Sequence, residues 1–137
     1  MGMSFAHTLE MPGRRLYDGQ LWWHLSRTLY RPLWGWAGQL EGVALGAAPA
    51  LASLVRDRRP AFGLTMAASA CLLTANPLIF FRFVRSANLA TLDATPDELP
   101  ADWQRLRDQG EYGHAARFAL HLLASALSNT PGPAPRL

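Results

Sequence analysis

The residues able to do acid–base or anion-binding chemistry are few and regularly spaced. His7-x-x-Glu10 stands near the N-terminus, and its mirror, Glu111-x-x-His114, near the C-terminus. A spacing of three places an imidazole and a carboxylate on one face of a helix. On a single helix turning about 100° per residue, Trp103, Arg107, Glu111, His114, Arg117 and His121 fall within about 120° of arc. The rest of that segment, residues 101 to 128, is largely apolar. Such a stripe needs partners from other segments. His7 and Glu10 are available, Glu41 stands in a second apolar segment, and Asn76 precedes Pro77 in a third.

Three kinds of chemistry fit these residue types. The leading reading is a lattice of ion pairs, with Arg117 or Arg107 answering Glu10, Glu41 or Glu111, because a charge taken out of water needs a partner. The second is a site that handles a substrate or a proton, with His7, Glu10, Glu111, His114 and Arg117 as the reacting groups. Glu41, Asn76, Trp103 and Arg107 would then bind the substrate. The third and weakest is a metal site, since four-helix carboxylate bundles use Glu-x-x-His pairs for two metals and would suit iron, manganese or zinc. Glu-x-x-His recurs often by chance and only three carboxylates are suitably placed, so no metal or other cofactor is expected. His24 and His121 read as interfacial or packing histidines. Trp22, Trp23, Trp34 and Trp36 read as interface anchors.

The elements that must position these groups are helices, and no convincing strand is visible. Residues 3 to 10 read as the end of a helix that Pro12-Gly13 stops. Residues 14 to 32 interleave Trp and Tyr with Arg, which suits an amphipathic helix lying at a membrane interface. Residues 33 to 55 form a long apolar segment ended by Arg56-Asp57-Arg58-Arg59-Pro60. Residues 61 to 81 carry no charge over 21 positions, and about 20 apolar residues span a bilayer core as a helix. Its small residues suit close helix packing in lipid. Residues 86 to 100 read as a polar connection, with turn signals at Thr95-Pro96-Asp97 and Leu99-Pro100. A final helix starts near Pro100 and runs to about Ser128. The expected architecture is therefore all-α: a membrane-embedded antiparallel bundle of three to four helices plus an interfacial helix. It forms one domain over 1–128, followed by a disordered Pro-rich tail over 129–137.

Composition sets the outer limits. The 137 residues suffice for one domain, and 17% of them are charged, against about 25% in typical soluble domains. All 13 basic residues are Arg and the net charge is +3, with no basic stripe or fold signature of a nucleic-acid binder. The lone Cys71 allows no internal disulfide and no cysteine-based zinc site. No phosphate loop, nucleophile elbow or dinucleotide fingerprint is present. A mean hydropathy of +0.01 is low for a membrane protein, which keeps a soluble helical bundle with an apolar ligand pocket as a competing reading. Arginines lie on both sides of the apolar segments, so the positive-inside rule leaves orientation open.

Two stretches together resemble a known family. FAHTLEMPGRRLYDGQLW resembles the AH-x-LE-x-PGK signature that ends the first helix in a family of small four-helix bacterial and fungal membrane proteins. PADWQRLRDQGEYGHAARFALHLLA resembles that family's later signature, Trp-x-x-x-Arg followed by Glu-x-x-His-x-x-Arg. The family is described as a domain of unknown function and is also labelled anthrone oxygenase-like. The matching residues are His7, Glu10, Pro12, Gly13, Trp103, Arg107, Glu111, His114 and Arg117, and the likeness covers nearly the whole chain. Gly110 departs from the Trp usual before the Glu, and Arg14 stands where Lys is common. Only about nine residues precede Glu10, where the family carries a full first transmembrane helix. The resemblance implies an integral protein of a bacterial inner (cytoplasmic) membrane, with the lipid bilayer as partner, a hydrophobic aromatic small molecule as ligand, and a homo-oligomer as one way to supply a missing helix. It also implies an oxygenase activity in which His114 or His7 removes a proton from an activated methylene of an anthrone. Arg117 or Arg107 would hold the anion, and O2 would oxidise it.

Overall fold

Four helices make the fold, and the computed structural model describes residues 2–95 and 97–130. Helix α1 is Gly2–Arg14. Helix α2 covers residues 19–54, as an α segment Gly19–Leu25, a wide π turn Ser26–Tyr30 and an α segment Arg31–Leu54. Helix α3 is Arg59–Asp93, with π-helical geometry over Thr74–Val84. Helix α4 is Trp103–Asn129. Among the described residues there is no strand, only a lone bridge between Thr95 and Glu98 in the α3–α4 turn. The Pro-rich residues 131–137, Pro96 and Met1 lie outside the described residues.

The sequence punctuates this bundle in recognisable ways. The Asp18 side chain accepts from Leu21 N at 2.8 Å and so caps α2. Pro60 occupies the first turn of α3, where a missing N–H costs nothing. Trp23 Nε1 donates to Ala94 O at 3.0 Å and Arg27 Nη1 to Leu92 O at 3.0 Å, which clips the start of α2 to the end of α3.

Three segments differ from the sequence reading. Pro12-Gly13 does not stop α1, which continues to Arg14 with Pro12 inside it. A proline forfeits its own N–H bond and crowds the carbonyl four residues back, but α1 ends within a turn of Pro12, closed by Arg15 N→Met11 O at 3.1 Å. The interfacial helix expected over 14–32 is not a separate element. Residues 15–18 form a turn, and from Gly19 the helix runs on into the apolar stretch through the π turn. The polar connection expected over 86–100 begins later, because Arg85–Asp93 is helical. Polar residues alone do not end a helix, and this stretch contains neither Pro nor Gly.

Helix α4 is central, packing against α1 and along α3. Two glycines let α3 approach it. A Cβ at Gly113 would meet Val84 Cγ2 at 2.8 Å, and one at Gly110 would meet Ala87 Cβ at 3.1 Å. Helix α2 packs on the first half of α3, Arg59–Leu73. Between this contact and its clipped start, clefts open on both sides of Glu41.

Candidate functional site

The stripe on α4 faces inward. Arg107, Glu111, His114, Arg117 and His121 are all buried, and Trp103 is half-buried. They sort into three groups along the helix.

The first group joins α1, α2 and α4. Glu111 is held through both oxygens: Arg14 Nε donates to Oε1 at 2.7 Å, and His7 Nδ1 lies 3.3 Å from Oε2. A carboxylate can only accept, so Nδ1 of His7 carries the proton that faces it. The His7 ring stacks on His114 with centroids 3.9 Å apart and 9° between planes. The Arg14 guanidinium lies over the Tyr30 ring, 4.3 Å from its centroid, and within 3.6 Å of Glu10. The Tyr30 hydroxyl donates to Glu10. Tyr30 stands just ahead of the apolar stretch of α2. Burial first, and then that hydrogen bond, push its phenol up to about 12, although Arg14 pulls the other way.

The second group joins α2, α3 and α4. Arg117 pairs with Glu41 and donates from Nη2 to Asn76 Oδ1 at 3.1 Å and from Nε to Ala75 O at 3.1 Å. His121 Nε2 lies 2.9 Å from the same Asn76 oxygen. Because a guanidinium can only donate, the atom it meets on Asn76 is the oxygen. His121 therefore also donates, from Nε2. The turn around Pro77 presents the Ala75 carbonyl and the Asn76 side chain to α4 together.

The third group sits at the loop end. Trp103 stacks on Trp22 at 5.7 Å, Arg107 lies over Trp103 at 5.2 Å, and Arg107 donates to Tyr17 O at 3.3 Å and Asp108 at 3.1 Å. Trp103 and Arg107 thus brace the α1–α2 turn. Arg107 reaches the first group only as a wall of a 30 Å³ cavity that it shares with His7, Arg14, Glu111 and His114.

Of the residues singled out from the sequence, the structure brings together His7, Glu10, Glu111 and His114 in one group, and Glu41, Asn76 and Arg117 in another. The pairs expected for the lattice are partly exchanged. Arg117 answers Glu41, but Arg14, not Arg107 or Arg117, answers Glu10 and Glu111. Arg14 and Tyr30 were not singled out as site residues. Arg14 was legible as the member of the His7, Glu10, Arg14 face at spacings of three and four, and the Pro-Gly pair concealed it. His24 is exposed, whereas His121 is a member of the second group. The mirrored pairs do not converge as a two-metal set. The imidazoles stack instead of aiming nitrogens at a common point, and no group of three His, Cys, Asp or Glu that could hold a metal ion occurs among the described residues.

Two open clefts flank Glu41. One, of 610 Å³, lies between α2 and α4 and ends at Asn76 and His121. The other, of 280 Å³, lies between α2 and α3, walled by Trp34, Pro77, Phe80 and Phe81, and ends at Asn76, His114 and Arg117. Comparison with family models, curated proteins and solved structures finds no match for this chain.

Proposed function

We propose that this chain is a small polytopic integral membrane protein whose buried His/Glu/Arg groups shape a site for a lipid-soluble molecule. One observation carries the reading: the usual distribution of residues is inverted. The buried apolar set is small, mostly alanines with Trp22, Tyr30 and Val84, while the buried polar set includes His7, Arg14, Glu111, His114, Arg117 and His121. Large apolar side chains outside the clefts are exposed, among them Leu29, Val43, Leu51 and Leu54 on α2 and Leu73 and Leu78 on α3. Water would penalise so large an apolar exterior, and lipid accepts it. Helix α3 is long and apolar enough to cross a membrane. A bacterial inner membrane fits the resemblance in the two signature stretches. The test is fractionation. The chain is expected in the membrane pellet, resistant to high salt and carbonate, and released only by detergent. Recovery of folded monomer from a detergent-free lysate would overturn the reading and favour the helical bundle with an apolar pocket.

A second reading is an anthrone oxygenase-like enzyme, favoured by the Glu111–His7–His114 arrangement beside an aromatic-walled cleft. His7 or His114 would take a proton from the activated methylene. The resulting phenolate-like anion would reduce O2, so that CH2 and O2 become C=O and H2O. Arg117, already paired with Glu41, would stabilise the anion only by sharing its charge. Unchanged anthrone turnover in His7→Ala and His114→Ala proteins would eliminate this reading.

A further inference from the structure

Arginines on α2 and α3 stand in stretches without acids. The sequence has no Asp or Glu between Asp18 and Glu41, where Arg27 and Arg31 lie, and none between Asp57 and Asp93, where Arg82 and Arg85 lie. Arg31, Arg82 and Arg85 are exposed. None of the three has a carboxylate partner among the described residues. The other side of the bundle differs. There Arg14 pairs with Glu111, Arg15 with Asp108 at 3.8 Å, Arg105 with Asp102, and Arg107 with Asp108 at 3.1 Å. Positive charge is thus matched along α1 and α4 and left open along α2 and α3.

Helix geometry gathers the open charges. Arg27 reaches across to Leu92 O at 3.0 Å, so these two residues face each other over the α2–α3 seam. Arg31 stands four residues from Arg27, and Arg85 seven from Leu92. Both spacings keep a side chain on the same face of its helix. Arg82 follows one turn from Arg85, with its guanidinium over the Phe83 ring at 5.2 Å. The neighbours in sequence set the depth. The apolar stretch of α2 begins just after Arg31, and the uncharged run 61–81 ends just before Arg82. An anion meeting these arginines therefore sits at the edge of two apolar spans. A water-soluble polyanion leaves that edge unused, whereas a phospholipid carries phosphate and hydrocarbon on one molecule. We infer that the α2–α3 seam binds the headgroup of an anionic phospholipid through Arg31, Arg82 and Arg85, with Arg27 at the margin. The guanidinium fork matches phosphate oxygens in pairs. This names a partner for the membrane reading above and rests on it for the depth of the site.

The test titrates the purified chain in dodecyl maltoside with dioleoylphosphatidylglycerol. Dioleoylphosphatidylcholine, with the same chains and phosphate but no net charge, is the control. Lipid retained per chain is read by native mass spectrometry. Saturable retention of the anionic lipid is expected, about tenfold tighter than the control or better, and weaker at high salt. Arg31→Gln, Arg82→Gln and Arg85→Gln should each weaken it about fivefold, with the fold intact because none of these side chains is held in an ion pair. Arg105→Gln, whose charge Asp102 already matches, and Arg58→Gln, at the far end of both helices, should leave it unchanged. Equal affinity for the two lipids, or losses in the Arg58 and Arg105 variants as large as those at the seam, overturns the proposal while leaving the membrane reading in place. If the chain proves soluble without detergent, the membrane reading falls and vesicles decide the seam. Cosedimentation with phosphatidylglycerol vesicles that is lost in the Arg31→Gln/Arg85→Gln double variant would then uphold the proposal, and no cosedimentation would overturn it.

Discussion

Glu111 and Glu10 are both glutamates facing Arg14, yet their surroundings give them different weights. The Glu111 side chain is 3% exposed and holds two partners, whereas that of Glu10 is 45% exposed. Glu111→Ala leaves the Arg14 guanidinium buried beside a void and is expected to cost about 3–5 kcal/mol. Glu10→Ala removes a solvent-screened contact with Arg14 and the acceptor of the Tyr30 hydroxyl and should cost less, about 1–2 kcal/mol. Parallel unfolding curves of the two variants check this, and equal losses would mean the Glu111 pair is not the principal tie between α1 and α4. Tyr30 gives a pH test. Its phenol is raised in the folded chain from 10.0 to about 12, so between those values the folded state keeps a proton that the unfolded state has lost. Stability therefore falls as pH rises through that window, and is fully present below it. Tyr30→Phe is expected to remove this part of the alkaline slope, measured as the difference between the two stability–pH curves. At this scale the α4 stripe was legible because Glu111, His114, Arg117 and His121 repeat at helical spacing. Arg14 shares the His7 and Glu10 face but was hidden by the Pro12-Gly13 pair, and Tyr30 was not legible, because its role depends on α2 turning it toward α1, which local spacing does not encode.

The approach of α3 to α4 depends on missing side chains. Gly113 faces Val84 at a distance no Cβ tolerates, and Gly110 faces Ala87 only slightly farther off. Gly113→Leu is expected to force the helices apart and cost about 1–3 kcal/mol or more. Gly46→Ala on α2, where nothing lies within 4 Å, should be neutral or gain up to about 1 kcal/mol from helix propensity. Thermal unfolding of both variants separates a packing glycine from a merely permissive one. A stable Gly113→Leu protein would show that α3 and α4 are not tightly apposed there. Helix identity was legible from the uncharged run 61–81 and the apolar run 33–55. The end of α3 was misplaced where polarity was taken as a stop signal, because Arg85–Asp93 is polar and helical. What ended or capped the helices was Asp18, Pro60 and the turn before Trp103, not a change of hydropathy.

For the whole molecule, a mean hydropathy of +0.01 says little, because charges at exposed helix ends and turns, such as Arg56, Asp57, Arg58, Arg59, Asp102 and Arg105, offset the apolar segments in the average. The α4 stripe showed which polar groups turn inward. It could not show that the facing sides of α1, α2 and α3 would be polar as well, since that depends on how the helices dock. The exposed face of α2 makes the inversion testable at one position. Val43 is 70% exposed, mid-helix, and away from both ion-pair groups. If that face meets lipid, Val43→Arg places a charge near the bilayer centre and is expected to cost about 2.5–3.5 kcal/mol of insertion, read as loss of chain from the membrane pellet. Leu16→Arg, at 86% exposure in the α1–α2 turn, should change the pellet fraction little, because an arginine there reaches the interface. If the face meets water, the order reverses. Val43→Arg would then break an apolar patch, improve solubility and leave stability within about 0.5 kcal/mol. The two environments thus predict opposite signs for one substitution, and the sign does not depend on what the buried histidines do.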